Sequence, residues 1–267
     1  MLQQITSAQN PKIKDLLALQ EKSRLRREKG LFVVEGRREL LHCLGCGYKA
    51  RTLFVCEDII SPKDLKEVIS AAGADCGVFS IPSQIYSKVA YREGTEGVIA
   101  ELETRTMDLS DIRFKGKHPL VVVMESVEKP GNLGAVLRSA DAAGADAVII
   151  CDPLTDIYNP NLIRASIGAV FTVPVVATTS EQAIDWLREN DITIYTAQLQ
   201  DSQWYYDVDM VHGTAIVLGT ESTGLTYQWR LVADKHIRIP MLGKLDSLNV
   251  SVSAAILLFE AVRQRNI

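Results

Sequence analysis

Three short stretches carry side chains whose types and spacing suit work on a phosphate-bearing or hydroxyl-bearing substrate. In EKPGNLGAVLRSADAAGADAVII, residues 128 to 150, Asn132 can both donate and accept, and Arg138 follows roughly two helical turns later with a planar fork suited to phosphate. In AIVLGTESTGL, residues 215 to 225, Glu221 stands just beyond an apolar strand that ends at Gly219, where open α/β sheets hold their ligands. In IPMLGKLDSLNVSVSAAILLFEAVRQR, residues 239 to 265, polar Ser247, Asn249, Ser251 and Ser253 alternate with Leu248, Val250 and Val252 ahead of an apolar helix. Each stretch also has a plainer account: helix caps, a capping carboxylate in a turn, and a solvated arginine. Taken singly, none decides between the two.

Several chemistries lose support at once. The glycines Gly131 and Gly134 make G-x-x-G, whereas a dinucleotide fold needs G-x-G-x-x-G, and no G-K-[ST] follows for a P-loop. A nicotinamide oxidoreductase therefore survives only as a fold-level alternative. The five cysteines, Cys43, Cys46, Cys56, Cys76 and Cys151, are an odd set without paired clusters, as in a reducing compartment. Cys43 and Cys46 form one C-x-x-C beside His42, but the other histidines are scattered, so no metal site is expected. No apolar run approaches the roughly 20 residues that cross a bilayer, and the N-terminus lacks the apolar core of a signal peptide. The expectation is an unprocessed cytoplasmic protein without a membrane segment.

The motifs sit among regularly alternating elements. After a helix opened by Asn10-Pro11 and a charged stretch ending at Gly30, LFVVEG, ARTLFVCED, CGVFSI and TEGVIAELE read as strands, separated by helices. That pattern predicts a small three-layer α/β domain over residues 1–104. The polar segment 105–119 contains few core residues and reads as a linker. From residue 120 to 267 a second alternation runs from PLVVVMES to the C-terminal helix, with NPNLIRASIGAVF as one helix and HIRIPML as a strand. Continuous β-branched strands such as VVVM and AVII imply a mostly parallel sheet covered on both faces. The last helix is apolar nearly all round until Arg263, so it must be buried on more than one side, in part against a partner subunit.

Charge divides unevenly along the chain. The net charge of −4 argues against a protein that grips nucleic acid with its whole surface. Residues 1–51, however, hold 11 basic against 5 acidic side chains, or +6, which leaves −10 for the remainder. A local basic patch of this kind can track phosphates, although a solvated helix end explains it equally well.

Taken together, the three motifs resemble the SpoU/TrmH family of RNA ribose methyltransferases, in the SPOUT class that folds with a C-terminal trefoil knot. The resemblance covers about residues 118 to 265: an N-x-G with a following arginine (Asn132, Gly134, Arg138), a G-x-E-x-x-G (Gly219, Glu221, Gly224), then I-P-M-x-G and S-L-N-V-S (Ile239 to Gly243, Ser247 to Ser251). Lys129 departs from the Asp or Asn that relatives often carry before the proline. A looser resemblance over residues 3 to 104, through NPKIKDLLAL, FVVEGRRE and TEGVIAELE, is to the family's ribosomal-protein-like RNA-binding domain.

That resemblance implies S-adenosylmethionine as cofactor, held by Ala197, Leu218, Gly219, Ile239, Met241 and Leu248. It implies a catalytic set of Asn132, Arg138, Glu221, Ser247 and Asn249, with Arg138 on the target phosphate and Glu221 or solvent receiving the proton. RNA would be gripped by Lys22, Arg24, Arg26, Arg27, Lys29, Arg37 and Arg38. The expected protein is a homodimer through its C-terminal domain that methylates ribose 2′-hydroxyls, in ribosomal RNA before transfer RNA. A base methyltransferase and a non-catalytic RNA-binding or assembly factor with the same fold are the alternatives. The knot itself would be a rare exception to unknotted folding.

Overall fold

The structure, a computed structural model, describes residues 2–91, 96–220 and 222–266. It divides into two units: residues 1–105 with 157–164, and residues 106–156 with 165–267.

In the first unit the helix signals act as expected. Pro11 opens α1 (Pro11–Glu21), and the Asn10 side chain accepts the Lys12 amide at 2.9 Å. The charged stretch forms a second helix, α2 (Ser23–Lys29), which Gly30 ends in the left-handed conformation at φ 62°. Helices α3 (Arg37–Gly45), α4 (Pro62–Ala72) and α5 (Ser83–Val89) alternate with β2 (Leu31–Glu35), β3 (Ala50–Val55), β4 (Gly77–Ser80) and β5 (Val98–Glu103). A two-residue strand, β1 (Gln3–Gln4), adds to the edge, so the order is β1-β4-β3-β5-β2. The sheet is mixed, because β5 runs antiparallel between β3 and β2. Ile13, Leu16 and Leu19 of α1 pack with Val33, Phe54 and Ile99 as its core. Residues 157–164 were not expected here. Tyr158 stacks on Phe32 with ring centres 4.4 Å apart, and its hydroxyl accepts the Arg105 amide and donates to the Arg105 carbonyl.

The second unit is a seven-stranded, wholly parallel sheet. Its strands are β6 (Leu120–Glu125), β7 (Ala147–Cys151), β8 (Val175–Thr178), β9 (Thr193–Ala197), β10 (Gln203–Trp204), β11 (Thr214–Leu218) and β12 (Lys235–Arg238). They lie in the order β10-β12-β9-β11-β6-β7-β8. The central β6, β7 and β11 are buried at every residue, the physical reason their sequences run apolar without alternation. Helices α6 (Pro130–Ala142), α8 (Ala169–Thr172), α9 (Ser180–Glu189), α10 (Tyr227–Val232) and α11 (Val250–Arg265) connect or cover them, whereas α7 (Pro160–Ser166) belongs for the most part to the first unit.

Three expectations are corrected. The helix read over NPNLIRASIGAVF breaks into α7 and α8, because Ile167 and Gly168 take φ of 53° and 84°. The strand read through HIRIPML stops at Arg238, just before Ile239 and Pro240, since proline cannot donate to a ladder. The segment read as a polar linker contributes to the core of the second unit: Ile112 is buried, and Met107, Leu109 and Phe114 pack beside it.

The C-terminal helix α11 buries Val250, Ala254, Leu257, Leu258 and Ala261, and packs against α6 and β11. Within one chain it leaves Val252 and Phe259 nearly half exposed, at 46% and 48%.

Candidate active site

The first motif is launched from the centre of the sheet. Strand β6 ends at Glu125, Ser126 turns the chain at φ 51°, and α6 starts at Pro130 with Lys129 as its N-cap residue. Asn132 lies in the first turn of this helix. Gly131 has open space where a Cβ would point, so packing does not require glycine there, whereas Gly134 is buried.

The second motif leaves the neighbouring strand, β11. A Cβ on Gly219 would lie 2.3 Å from the Gly224 carbonyl carbon and 2.5 Å from the Leu225 nitrogen, both rigid backbone. The turn closes on itself through the Gly224 amide, which donates to the Thr220 carbonyl at 3.0 Å, with Gly224 at φ 69°. The close approach requires glycine at 219, and the positive φ favours it at 224, where a Cβ would meet nothing within 4 Å. Glu221, expected to be catalytic, lies outside the described residues.

The third motif returns from β12 to α11. Asn249 caps α11, its Oδ1 accepting from the Ser251 amide at 2.9 Å, while its Nδ2 donates to Asn132 Oδ1 at 3.2 Å. Residues 117 apart in sequence are thereby joined. Beside the pair is a cleft of about 270 Å³, walled by residues 127–129 and Asn132 on one side and by Gly219, Thr220 and Ser222 on the other, with Val250 at its end.

The remaining expected site residues are placed unequally. Arg138 is exposed and has no hydrogen-bond or ion-pair partner among the described residues. Six positions on from Asn132, it points about 120° away around the helix, so it does not join the asparagine pair directly. Ser247 is exposed and bonds to its neighbour Asp246 at 3.3 Å. Ala197 ends β9, Leu218 ends β11, and Ile239 follows β12; as β9 lies between the other two, these residues share one edge of the sheet. Met241 and Leu248 belong to the irregular run between β12 and α11, Leu248 being 41% exposed.

Two features of this edge suit S-adenosylmethionine. The close glycine turn presents bare backbone at the carboxyl edge of the strands, where ligands bind in such sheets. Beside Ala197, the Gln198 Oε1 is buried with no hydrogen-bond partner among the described residues, an acceptor suited to a ligand donor. The residues present are compatible with the cofactor. Among the described residues, no group of three or more His, Cys, Asp or Glu side chains converges as a metal would require, and no helix is long and apolar enough to cross a membrane.

Sequence reasoning missed the buried polar bonds under this edge. Glu125, only 2% exposed, accepts the Thr226 amide at 2.8 Å and the Thr226 hydroxyl at 2.7 Å. Ser180 Oγ donates to Asp152 at 2.7 Å and accepts from Trp229 Nε1 at 3.1 Å. The one available signal was an acidic residue closing an otherwise apolar strand. Nearby, burial pushes the Cys151 thiol up to about 12.

In the first unit, Lys22, Arg24, Arg27, Lys29 and Arg38 are exposed. Arg24 pairs with Glu28 at 2.6 Å and Lys29 with Asp15 at 3.0 Å, exposed contacts that RNA phosphates can replace at little cost. Arg37 is held by Asp64 at 3.1 Å and by Glu67. Arg26 is a correction: it is 2% exposed, and its Nη1 donates to the Leu19 and Gln20 carbonyls at 2.6 and 3.0 Å. It satisfies carbonyls in the last turn of α1 and is not available to RNA.

The sequence matches the SpoU rRNA Methylase family over residues 119–259 and the MRM3-like substrate binding domain over residues 10–100. It is 29% identical to the 23S rRNA (guanosine(2553)-2′-O)-methyltransferase RlmP of Bacillus subtilis, over 97% of this chain and 98% of that one. It is likewise 29% identical to the 23S rRNA (uridine(2479)-2′-O)-methyltransferase of Streptomyces viridochromogenes, over 97% and 92%. The crystal structure of an AdoMet-bound rRNA methyltransferase from Sinorhizobium meliloti superposes with a TM-score of 0.90 at 29% identity, covering 98% of both chains. With the family matched over more than half of the chain, and its first and third motifs bonded beside one cleft, the chain belongs to the SpoU rRNA methylase family.

Proposed function

We propose that this chain transfers a methyl group from S-adenosylmethionine to a ribose 2′-hydroxyl of ribosomal RNA, the large-subunit RNA in particular. The observation that carries the reading is the Asn132–Asn249 bond beside the cleft rimmed by Gly219. It brings residues of two motifs, one in the first turn of α6 and one capping α11, to a single place at the carboxyl edge of the sheet. The large-subunit assignment leans on the names of the full-length relatives.

When bound, S-adenosylmethionine supplies a methyl already activated by its sulfonium. What remains for the protein is to hold the acceptor oxygen in line and exclude competing water, and such positioning is worth about 7 to 11 kcal/mol. Asn132 and Asn249, each held by the other, offer amide groups to the incoming hydroxyl. Arg138 is a permanently charged fork with no competing described partner, and it holds the target phosphate rather than taking a proton. Glu221, by its place in the motif, or solvent receives the proton. Ser247 lies in the irregular run between β12 and α11 and completes the set. Ala197, Leu218, Gly219, Ile239, Met241 and Leu248 hold the cofactor, largely through backbone groups at the strand ends.

The first unit serves as the RNA-binding domain, with Lys22, Arg24, Arg27, Lys29, Arg37 and Arg38 tracking phosphates. Replacing Lys22 and Arg27 by Ala lowers RNA affinity and reduces the salt slope by about 0.7 to 0.9 for each phosphate no longer neutralised. A second copy covers the exposed Val252 and Phe259 of α11, which makes the working form a homodimer. The run from β12 to α11 passes the 219–226 turn as the crossing of a trefoil knot. We place the protein in the cytoplasm and assign it no metal.

The test is to incubate the protein and S-adenosylmethionine labelled in its methyl group with large-subunit RNA, small-subunit RNA, transfer RNA and ribosomal precursor particles, then digest each to nucleosides. Label on a ribose 2′-oxygen of large-subunit RNA, naked or in particles, is expected. Label on a base overturns the acceptor chemistry, label confined to transfer RNA overturns the substrate class, and none on any substrate leaves a binding protein.

A further inference from the structure

Both walls of the cleft can be traced to one buried carboxylate. Strand β6 is central, paired on both sides, and its last residue, Glu125, leads within two residues to Val127 in one wall. The opposite wall is the 219–226 turn, which begins at Gly219 and ends at Thr226. Thr226 precedes α10 as its N-cap residue, yet its hydroxyl makes no capping bond. That hydroxyl and the Thr226 amide both go to Glu125, at 2.7 and 2.8 Å, one to each carboxylate oxygen. The Ser180 hydroxyl has one proton, and Asp152 at 2.7 Å takes it, so the 3.3 Å approach of Ser180 Oγ to Glu125 is the weaker contact.

We propose that Glu125 is a positioning residue that sets the width of this cleft: its backbone leads into one wall and its carboxylate clasps the other. The inference rests on the reading of the cleft as the acceptor site. Two bonds to one residue fix both the place and the rotation of the turn, as a single bond would not. Gly219 follows rigidly, because its backbone already touches Gly224 and the Leu225 amide with no space to spare. The role is one of geometry, so an uncharged side chain of the same shape and bonding capacity substitutes for it. A glutamine does so: its oxygen accepts the Thr226 amide, and its amide group donates to the Thr226 oxygen.

The experiment compares Glu125→Met, Glu125→Gln and Thr226→Val in the full chain. Hydrogen exchange is followed in peptides covering 219–226 and 120–124, and kcat and KM are measured with large-subunit RNA. In Glu125→Met, exchange across 219–226 rises about tenfold or more and kcat falls about 10- to 100-fold, while KM for RNA changes by less than about threefold. The 120–124 amides stay protected. Thr226→Val, which removes only a hydroxyl, moves the same readouts in the same direction by less, and carries the test if Glu125→Met does not fold. Glu125→Gln recovers about tenfold of the kcat lost in Glu125→Met. A Gln variant as slow as the Met variant overturns the inference, since it assigns the carboxylate a role through charge. Unchanged exchange at 219–226 in Thr226→Val and Glu125→Met overturns it as well. If exchange responds as expected but the unmodified chain methylates no RNA, the proposed activity fails and the clasp stands.

Discussion

The tightest constraint in the site is the meeting of Gly219 with Gly224, and Gly219→Ala measures it. The added methyl carbon would lie 2.3 Å from the Gly224 carbonyl carbon and 2.4 Å from its oxygen. Ordinary contact begins at 3.4 Å, so the two backbone segments must separate by about 1 Å (3.4 − 2.3). Both are anchored: Gly219 leaves a fully buried strand, and Thr226 is clasped by Glu125. Overpacking against rigid neighbours costs about 1 to 3 kcal/mol, which for a chain of this length lowers the melting midpoint by roughly 2 to 5 °C. The functional effect is larger, because a misplacement of about 1 Å at a positioned reaction costs on the order of 100-fold in rate. The assays are a thermal melt, calorimetric binding of S-adenosylmethionine, and single-turnover methylation at saturating RNA. Gly45→Ala is the control: that helical glycine has nothing within 4 Å of its would-be Cβ and no positive φ, so its replacement stabilises by about 0.4 to 1 kcal/mol. If Gly219→Ala melts within a degree of the unmodified protein and keeps its cofactor affinity and rate, the close turn is not what holds the site.

Arg26→Ala strands two carbonyls at the end of α1 and destabilises the protein by about 1 to 3 kcal/mol in a denaturant titration, while Arg27→Ala next to it changes stability little. Asn249→Ala removes both the α11 cap, worth about 1 kcal/mol, and the bond to Asn132; a melt should show the first, and a loss of kcat well beyond it the second. Burial raises the Cys151 thiol from 9.0 to about 12, so its contribution to stability is full below about pH 9 and is lost as pH rises towards 12. Cys151→Ala should flatten that part of the alkaline decline, and Cys151 should resist maleimide at pH 9 until the protein unfolds.

Local signals were legible in the sequence where local physics decides. The Asn10-Pro11 start of α1, the glycine end of α2 and the continuous apolar strands of the parallel sheet follow from capping, φ preference and two-sided burial, all properties of adjacent residues. Elsewhere, tertiary packing overrode pattern. A helical run broke at Ile167 and Gly168, and a polar segment supplied Ile112 to a core, because the space to be filled was set by elements distant in the chain.

The same division holds for the site. Residue types and order in three motifs, with the resemblance they carry, determined the family, the cofactor and which side chains are candidates for the chemistry. The tertiary structure alone decided which of them meet: Asn132 with Asn249 across 117 positions, but Arg138 with neither, and Arg26 turned inward to its own helix. It also supplied Glu125 and Thr226, joined across 101 positions. The physical reason is that a hydrogen bond depends on angstroms between atoms. A sequence fixes the chemical groups and their local conformation, but strand order and helix packing bring two distant groups within about 3 Å or keep them apart.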